Sequence, residues 1–273
     1  MSADMAHTAT ERRKAPQSVD VRGCPVFRWR LSSSSITDEV ICRLPPQLIT
    51  YVIHTDGKIQ RRTPKEITPG FEETIAYIYL DQSGHNHDLG KYCFIEARRH
   101  LPGNVEVEGS VRLIDLRKVH KKYKLGNVSY GFTLNTSRYY IGDVALASLF
   151  GAMLEAGYDD VVCNGFSDHL GHSVGGSSSH VNGTNGDFRY LRNDGTVGPL
   201  HLAEAEGKPH LLDEERQAVF IEALYRFGWK SMLSYRYVID GKEKLLKRTR
   251  HFRNHHHHLH LQGYAPLVED IHD

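Results

Sequence analysis

Apolar and polar positions change rhythm about half-way along the chain. Residues 1–20 are polar and unpatterned, which predicts a flexible tail. From residue 21 to about 125 the apolar positions fall in short runs rich in β-branched and aromatic side chains. Leu48 to Ile53 is one, with Asp56-Gly57 behind it as a turn; Thr74 to Leu80, Val105 to Val107 and Val111 to Leu116 are others. These predict a strand-rich module over 21–125. The basic run Arg117 to Lys124 reads as a solvated connection and places a boundary there.

Beyond it the period lengthens. Asp143 is suited to cap a helix, Leu146, Leu149, Phe150, Met153 and Leu154 follow at helical spacing, and Gly157 supplies a stop. Asp159 to Cys163 reads as a strand, Asn164 to Gly186 as a Gly- and Ser-rich loop, and Phe188 to Leu191 as a short strand. Asp213-Glu214-Glu215 opens a second helix with acidic residues that suit its N-terminal dipole. Its apolar stripe is Val219, Phe220, Ala223, Leu224 and Phe227, and Gly228 ends it. Met232 to Ile239 is β-like and Asp240-Gly241 is a hairpin turn. The returning strand is expected to end in the histidine-rich stretch Asn254 to Gln262. The order helix, strand, loop, strand, helix, hairpin predicts an α+β domain over 126–273, with helices packed on an antiparallel sheet.

Composition narrows the class. The chain has 273 residues, of which 40% are hydrophobic and 25% charged, as in ordinary globular proteins. Lys plus Arg is 34 against 33 for Asp plus Glu, so overall charge points neither to nucleic acid nor to an anionic membrane. No stretch approaches the ~20 apolar residues of a transmembrane helix. The first residues lack the apolar centre of a secretory signal, so synthesis in the cytoplasm without an ordinary export signal is expected. Cys24, Cys42, Cys93 and Cys163 are widely spaced and form no C-x-x-C pair. Buried free thiols are the expectation in a reducing compartment, and disulfides gain ground in an oxidising one.

Histidine is the outlier, with 18 residues, many of them after Asn164. Two patterns concentrate the chemistry. His180 and Asp187 are separated by six residues that include Gly183 and Gly186, which permit a tight turn. His258-Leu259-His260 is the second. On a continuous strand His256, His258 and His260 share one face, and His255 and His257 the other. Two imidazoles and a carboxylate are the donor set of a catalytic zinc site, whose fourth position takes water. The remaining imidazole, His258, is the candidate to take a proton or steady an oxyanion. His169, His172 and Arg189 are further candidates for contact with a substrate carbonyl. The loop Gly171 to Ser177 lacks the ending of a phosphate-binding loop and is expected to shape the approach to the metal.

The combination S-x-H-x6-D within Ser177 to Asp187, H-x-H at His258 to His260, and the helix and strand before each resembles the LAS metallopeptidase superfamily over about half of the chain. That group includes D-Ala-D-Ala peptidases, murein endopeptidases, phage endolysins and the amino-terminal domain of hedgehog proteins. The resemblance implies an LAS-like domain at 126–273 with Zn2+ on His180, Asp187 and His260, and His258 assisting catalysis. It implies hydrolysis of an amide bond in the stem or cross-link peptide of peptidoglycan, by endopeptidase or carboxypeptidase action. Action in the periplasm or cell wall after non-Sec delivery then follows, as does a secreted antibacterial effector, of type VI for example, with a secretion-machine component and an immunity protein as partners. A phage endolysin, or a zinc-stabilised binding domain without turnover, are the alternative readings.

Overall fold

A computed structural model describes residues 45–203 and 207–273. The expected tail at 1–20, Cys24 and Cys42 lie outside the described residues. The chain order is β1 (Ile49–His54), β2 (Lys58–Thr63), β3 (Thr74–Leu80), β4 (Asn86–Leu101), β5 (Val105–Asp115), β6 (Lys122–Leu125), β7 (Val128–Leu134) and β8 (Tyr140–Gly142), then α1 (Asp143–Ala156). After it come β9 (Val161–Gly165), β10 (Gly186–Phe188), α2 (Glu214–Arg226), β11 (Trp229–Ser234), β12 (Tyr237–Ile239), β13 (Lys242–Lys244), β14 (Thr249–His251), β15 (Leu259–Tyr264) and β16 (Leu267–His272). The fold is α+β and mostly strand.

The strands form two seven-stranded sheets and the β12–β13 ribbon. One sheet has the order β16-β2-β1-β3-β4-β5-β8, the other β14-β11-β15-β10-β9-β7-β6. Both are mixed rather than antiparallel: β1–β3 and β16–β2 are parallel in the first, β7–β9 and β11–β14 in the second. The boundary expected near residue 125 falls inside one compact unit that runs to Asp273. The reason is that β8 and β16, from the second half of the chain, complete the sheet built by the first half.

Helix α1 sits between the layers. It packs against β1, β3, β5 and β8 of the first sheet, and against β7 and α2 on its other side. Every residue from Ala145 to Leu154 is buried. That is why its sequence is apolar all round instead of carrying one stripe. Gly151 allows the approach of Phe227, since a Cβ there would lie 2.2 Å from the Phe227 ring. Asp143 is its first residue rather than its cap, and accepts hydrogen bonds from Tyr51 Oη at 2.8 Å and Val144 N at 2.8 Å. Gly157 ends the helix in the left-handed conformation, as expected. Asp213 caps α2 by accepting from Arg216 N.

One thiol expectation is corrected. Cys163 is free and buried. Cys93, on β4, is disulfide-bonded.

Candidate metal centre

The two halves of the sequence pattern meet on the second sheet. β10 lies between β9 and β15, and the register sets Asp187 directly opposite His260. Gly183, at φ 64°, supplies the left-handed step in the turn between His180 and Asp187. A Cβ there would come within 2.4 Å of Gly142 N, so glycine is required twice over.

The loop before β10 is held by the rest of the fold. Asn182 exchanges two hydrogen bonds with the His100 backbone, at 2.8 and 2.7 Å. Trp229, fully buried, donates its indole N–H to Thr184 O at 2.8 Å. Asn104 accepts from Ser173 N, and Ser173 Oγ accepts from His180 N at 3.0 Å. The long β4–β5 hairpin thus positions the first histidine.

Asp187 is the hub. Its Oδ2 lies 3.1 Å from His180 Nε2, and its Oδ1 lies 2.7 Å from His260 Nδ1 and 3.5 Å from His258 Nε2. The rings of His180 and His260 stand edge to face, 4.9 Å apart. His180, Asp187 and His260 are all buried, and one donor atom from each falls within 4.8 Å of the others. Burial alone would raise the Asp187 carboxyl. Hydrogen bonds from His180 and His260 outweigh that and hold it well below the usual carboxylate range. Burial is the main reason that His258 is lowered to about 3, and His255 to about 4.

Each ring's second nitrogen has its own environment. His180 Nδ1 is 2.9 Å from Asn185 O, which accepts from it and orients the ring with Nε2 toward the carboxylate. His260 Nε2 lies 3.4 Å from Ser179 Oγ. Ligating histidines in metal sites are oriented through their other nitrogen in this way. The group opens into a cleft of about 1180 Å³, walled by the Gly-rich loop at 174–179 and by β14 and the turn after it.

The sequence matches no protein-family model and no curated protein. The donor set therefore speaks for itself. His180, Asp187 and His260 could hold a divalent ion of the zinc class, two imidazoles and a carboxylate leaving a position open toward the cleft.

Arg138 is the residue that sequence reasoning missed. Its Nη2 donates to Asp187 Oδ2 at 2.7 Å and to Asn164 O at 2.9 Å. It comes from the segment after β7, brought beside the site because β7 runs parallel to β9. Gly165 permits that approach, since a Cβ there would lie 2.2 Å from Thr136 Oγ1 and 2.6 Å from Arg138 O. The polar run Asn135 to Arg138 directly after a strand was the available signal.

Of the other candidates, none lines the cleft. His172 Nε2 pairs with His100 Nε2 at 3.1 Å, His169 is exposed, and Arg189 donates to Val197 O at 2.7 Å. The continuous histidine strand is also corrected. Arg253–His255 is a 3-10 turn, and β15 begins only at Leu259. The alternation of faces therefore fails upstream of Leu259. His255, expected to point away, packs against His258 and His260 with ring centroids at 4.7 and 5.3 Å. His256, expected on the site face, stands instead against Tyr235 and His201.

Proposed function

We propose that the chain is a zinc-dependent hydrolase of an amide bond in a peptidoglycan stem or cross-link peptide, of the LAS metallopeptidase type. The observation that carries this reading is the meeting of His180 Nε2, both Asp187 oxygens and His260 Nδ1 at the base of an open cleft, with His258 Nε2 at 3.5 Å from the same carboxylate. A zinc ion held there supplies a positive charge for a substrate carbonyl and makes water a usable nucleophile near neutral pH.

The chain's own residues do the rest. Asp187 stays ionised under the hydrogen bonds described above, and Asn185 O holds His180 by Nδ1, so that Nε2 is the atom that would ligate the ion. Arg138 acts through Asp187 as a positioning residue. His258, 14% exposed and on the cleft wall, is placed to accept a proton from the attacking water and return it to the leaving amine. Among the described residues, Asp187 is the one acidic group on the cleft wall, whereas Arg250 there bonds the uncharged Ser231 Oγ at 2.8 Å. That balance suits a substrate carrying carboxylates, as peptidoglycan peptides do. The Cys93 disulfide supports action outside the reducing cytoplasm.

The test is a digest of purified muropeptides read by mass spectrometry. Wild type, chelated, zinc-restored, Asp187→Ala and His258→Ala proteins are compared. New fragments are expected from wild type and from zinc-restored protein alone, and their masses name the bond. His258→Ala should lower turnover by roughly 10²–10⁴-fold while keeping its zinc. A zinc-loaded wild type that releases no fragment would replace this reading with that of a zinc-stabilised binding domain.

A further inference from the structure

His260 belongs to two donor groups, not one. His255, His258 and His260 also bring one ring nitrogen each within 4.8 Å of one another. His255 is 9% exposed and its Nδ1 is buried with no hydrogen-bond partner in the structure. A buried polar atom left unpaired is costly, and the ring that carries it lies 4.7 and 5.3 Å from those of His258 and His260, so three imidazoles converge on one place. The second group is also nearer to solvent: the His258 side chain is 14% exposed, that of His180 3%.

We infer that His255, His258 and His260 form a second, outer position for a divalent cation, which an ion can occupy in place of the inner position at His180, Asp187 and His260. Three imidazoles without a carboxylate select zinc, cobalt, nickel or copper over magnesium or calcium. An ion moving from the outer to the inner position would keep His260 and exchange His255 and His258 for His180 and Asp187. While it stays outside, it engages the lone pair of His258, which is then withdrawn from proton transfer. The outer position is thus a metal-loaded state of the cleft without hydrolytic competence.

The inference rests on the metal-centre reading, and the experiment separates the two. Cobalt(II) is titrated into purified chelator-treated full-length protein and followed by its visible absorption and by equilibrium dialysis. Wild type is expected to bind tightly. His180→Ala, which removes the inner position, is expected to retain one cobalt per chain at about 10–100-fold lower affinity. Adding His255→Ala to it abolishes that binding, while adding His256→Ala does not. Circular dichroism verifies that each variant is folded, and His255→Gln repeats the test with less change in volume. Wild type that binds no cobalt overturns the metal-centre reading. Tight binding by wild type with none by folded His180→Ala overturns the outer position alone. Binding to His180→Ala that is indifferent to His255→Ala, or is lost equally with His256→Ala, overturns it as well and leaves only adventitious capture by the histidine run.

Discussion

Arg138 and His180 meet at the same oxygen of Asp187. An ionised donor there keeps the carboxylate charged and fixes its orientation. Arg138→Ala is expected to weaken zinc binding by about 10–100-fold without unfolding the protein, measured by competition with a chromogenic chelator. Arg138→Lys should recover only part of the loss, since a lysine cannot serve Asp187 and Asn164 O from one planar group. Unchanged affinity in both variants would reduce Arg138 to a packing residue. The same scale shows what the sequence could disclose. His180, Asp187 and His260 were legible because two of them are close in sequence and the third stands in an H-x-H pair. Arg138 was not, because a parallel pairing of β7 with β9 delivers it and no local pattern announces such a pairing. His255 was hidden for a different reason: four histidines in a row carry no period, so nothing distinguished a turn from a strand.

At the scale of elements, a dense run of β-branched and aromatic residues was read to the residue at Thr74–Leu80. β4 went unread although it is the longest described strand. Its buried positions are His87, Leu89 and Gly90, then Tyr92, Phe94 and His100, so the alternation loses its phase in the middle. The cause is a bulge: Tyr77 pairs with Gly90 and Ile78 with Asp88, which leaves Leu89 without a partner of its own. Helix α1 was legible in extent, but its burial on all sides depends on two sheets that no helix periodicity reveals. Its contact with Phe227 gives a test. Gly151→Ala gains up to about 1 kcal/mol of helix propensity. It also drives a methyl into a ring that is 0% exposed and has nowhere to go, an overpacking cost of about 1–3 kcal/mol. The second effect wins, so the urea midpoint of Gly151→Ala should fall below that of wild type.

At the scale of the molecule, β16 and β8 bind the two halves into one cooperative body, so a single unfolding transition is expected for the described residues. Its pH dependence has an identifiable contributor. Burial raises the pKa of Asp143, against the Tyr51 hydrogen bond that lowers it. The native state therefore holds a proton there more tightly than the unfolded chain does. The stability this confers is present at acid pH and is lost as pH rises through the raised native value. Asp143→Asn should flatten the fall in urea midpoint over that window, and an unaltered slope would assign the dependence to other groups. Cys93 offers a chemical check: in denatured, unreduced protein it should resist alkylation, while Cys163 is labelled. No described helix is long and apolar enough to cross a membrane. One consequence reaches from the centre to the whole chain. Asp187 is held by hydrogen bonds from Arg138 and His260 and by contact with His180. The pocket is thus a finished vessel rather than one moulded by its contents. Chelation should empty it reversibly, leaving a folded protein whose melting temperature climbs with added zinc only as far as mass action requires.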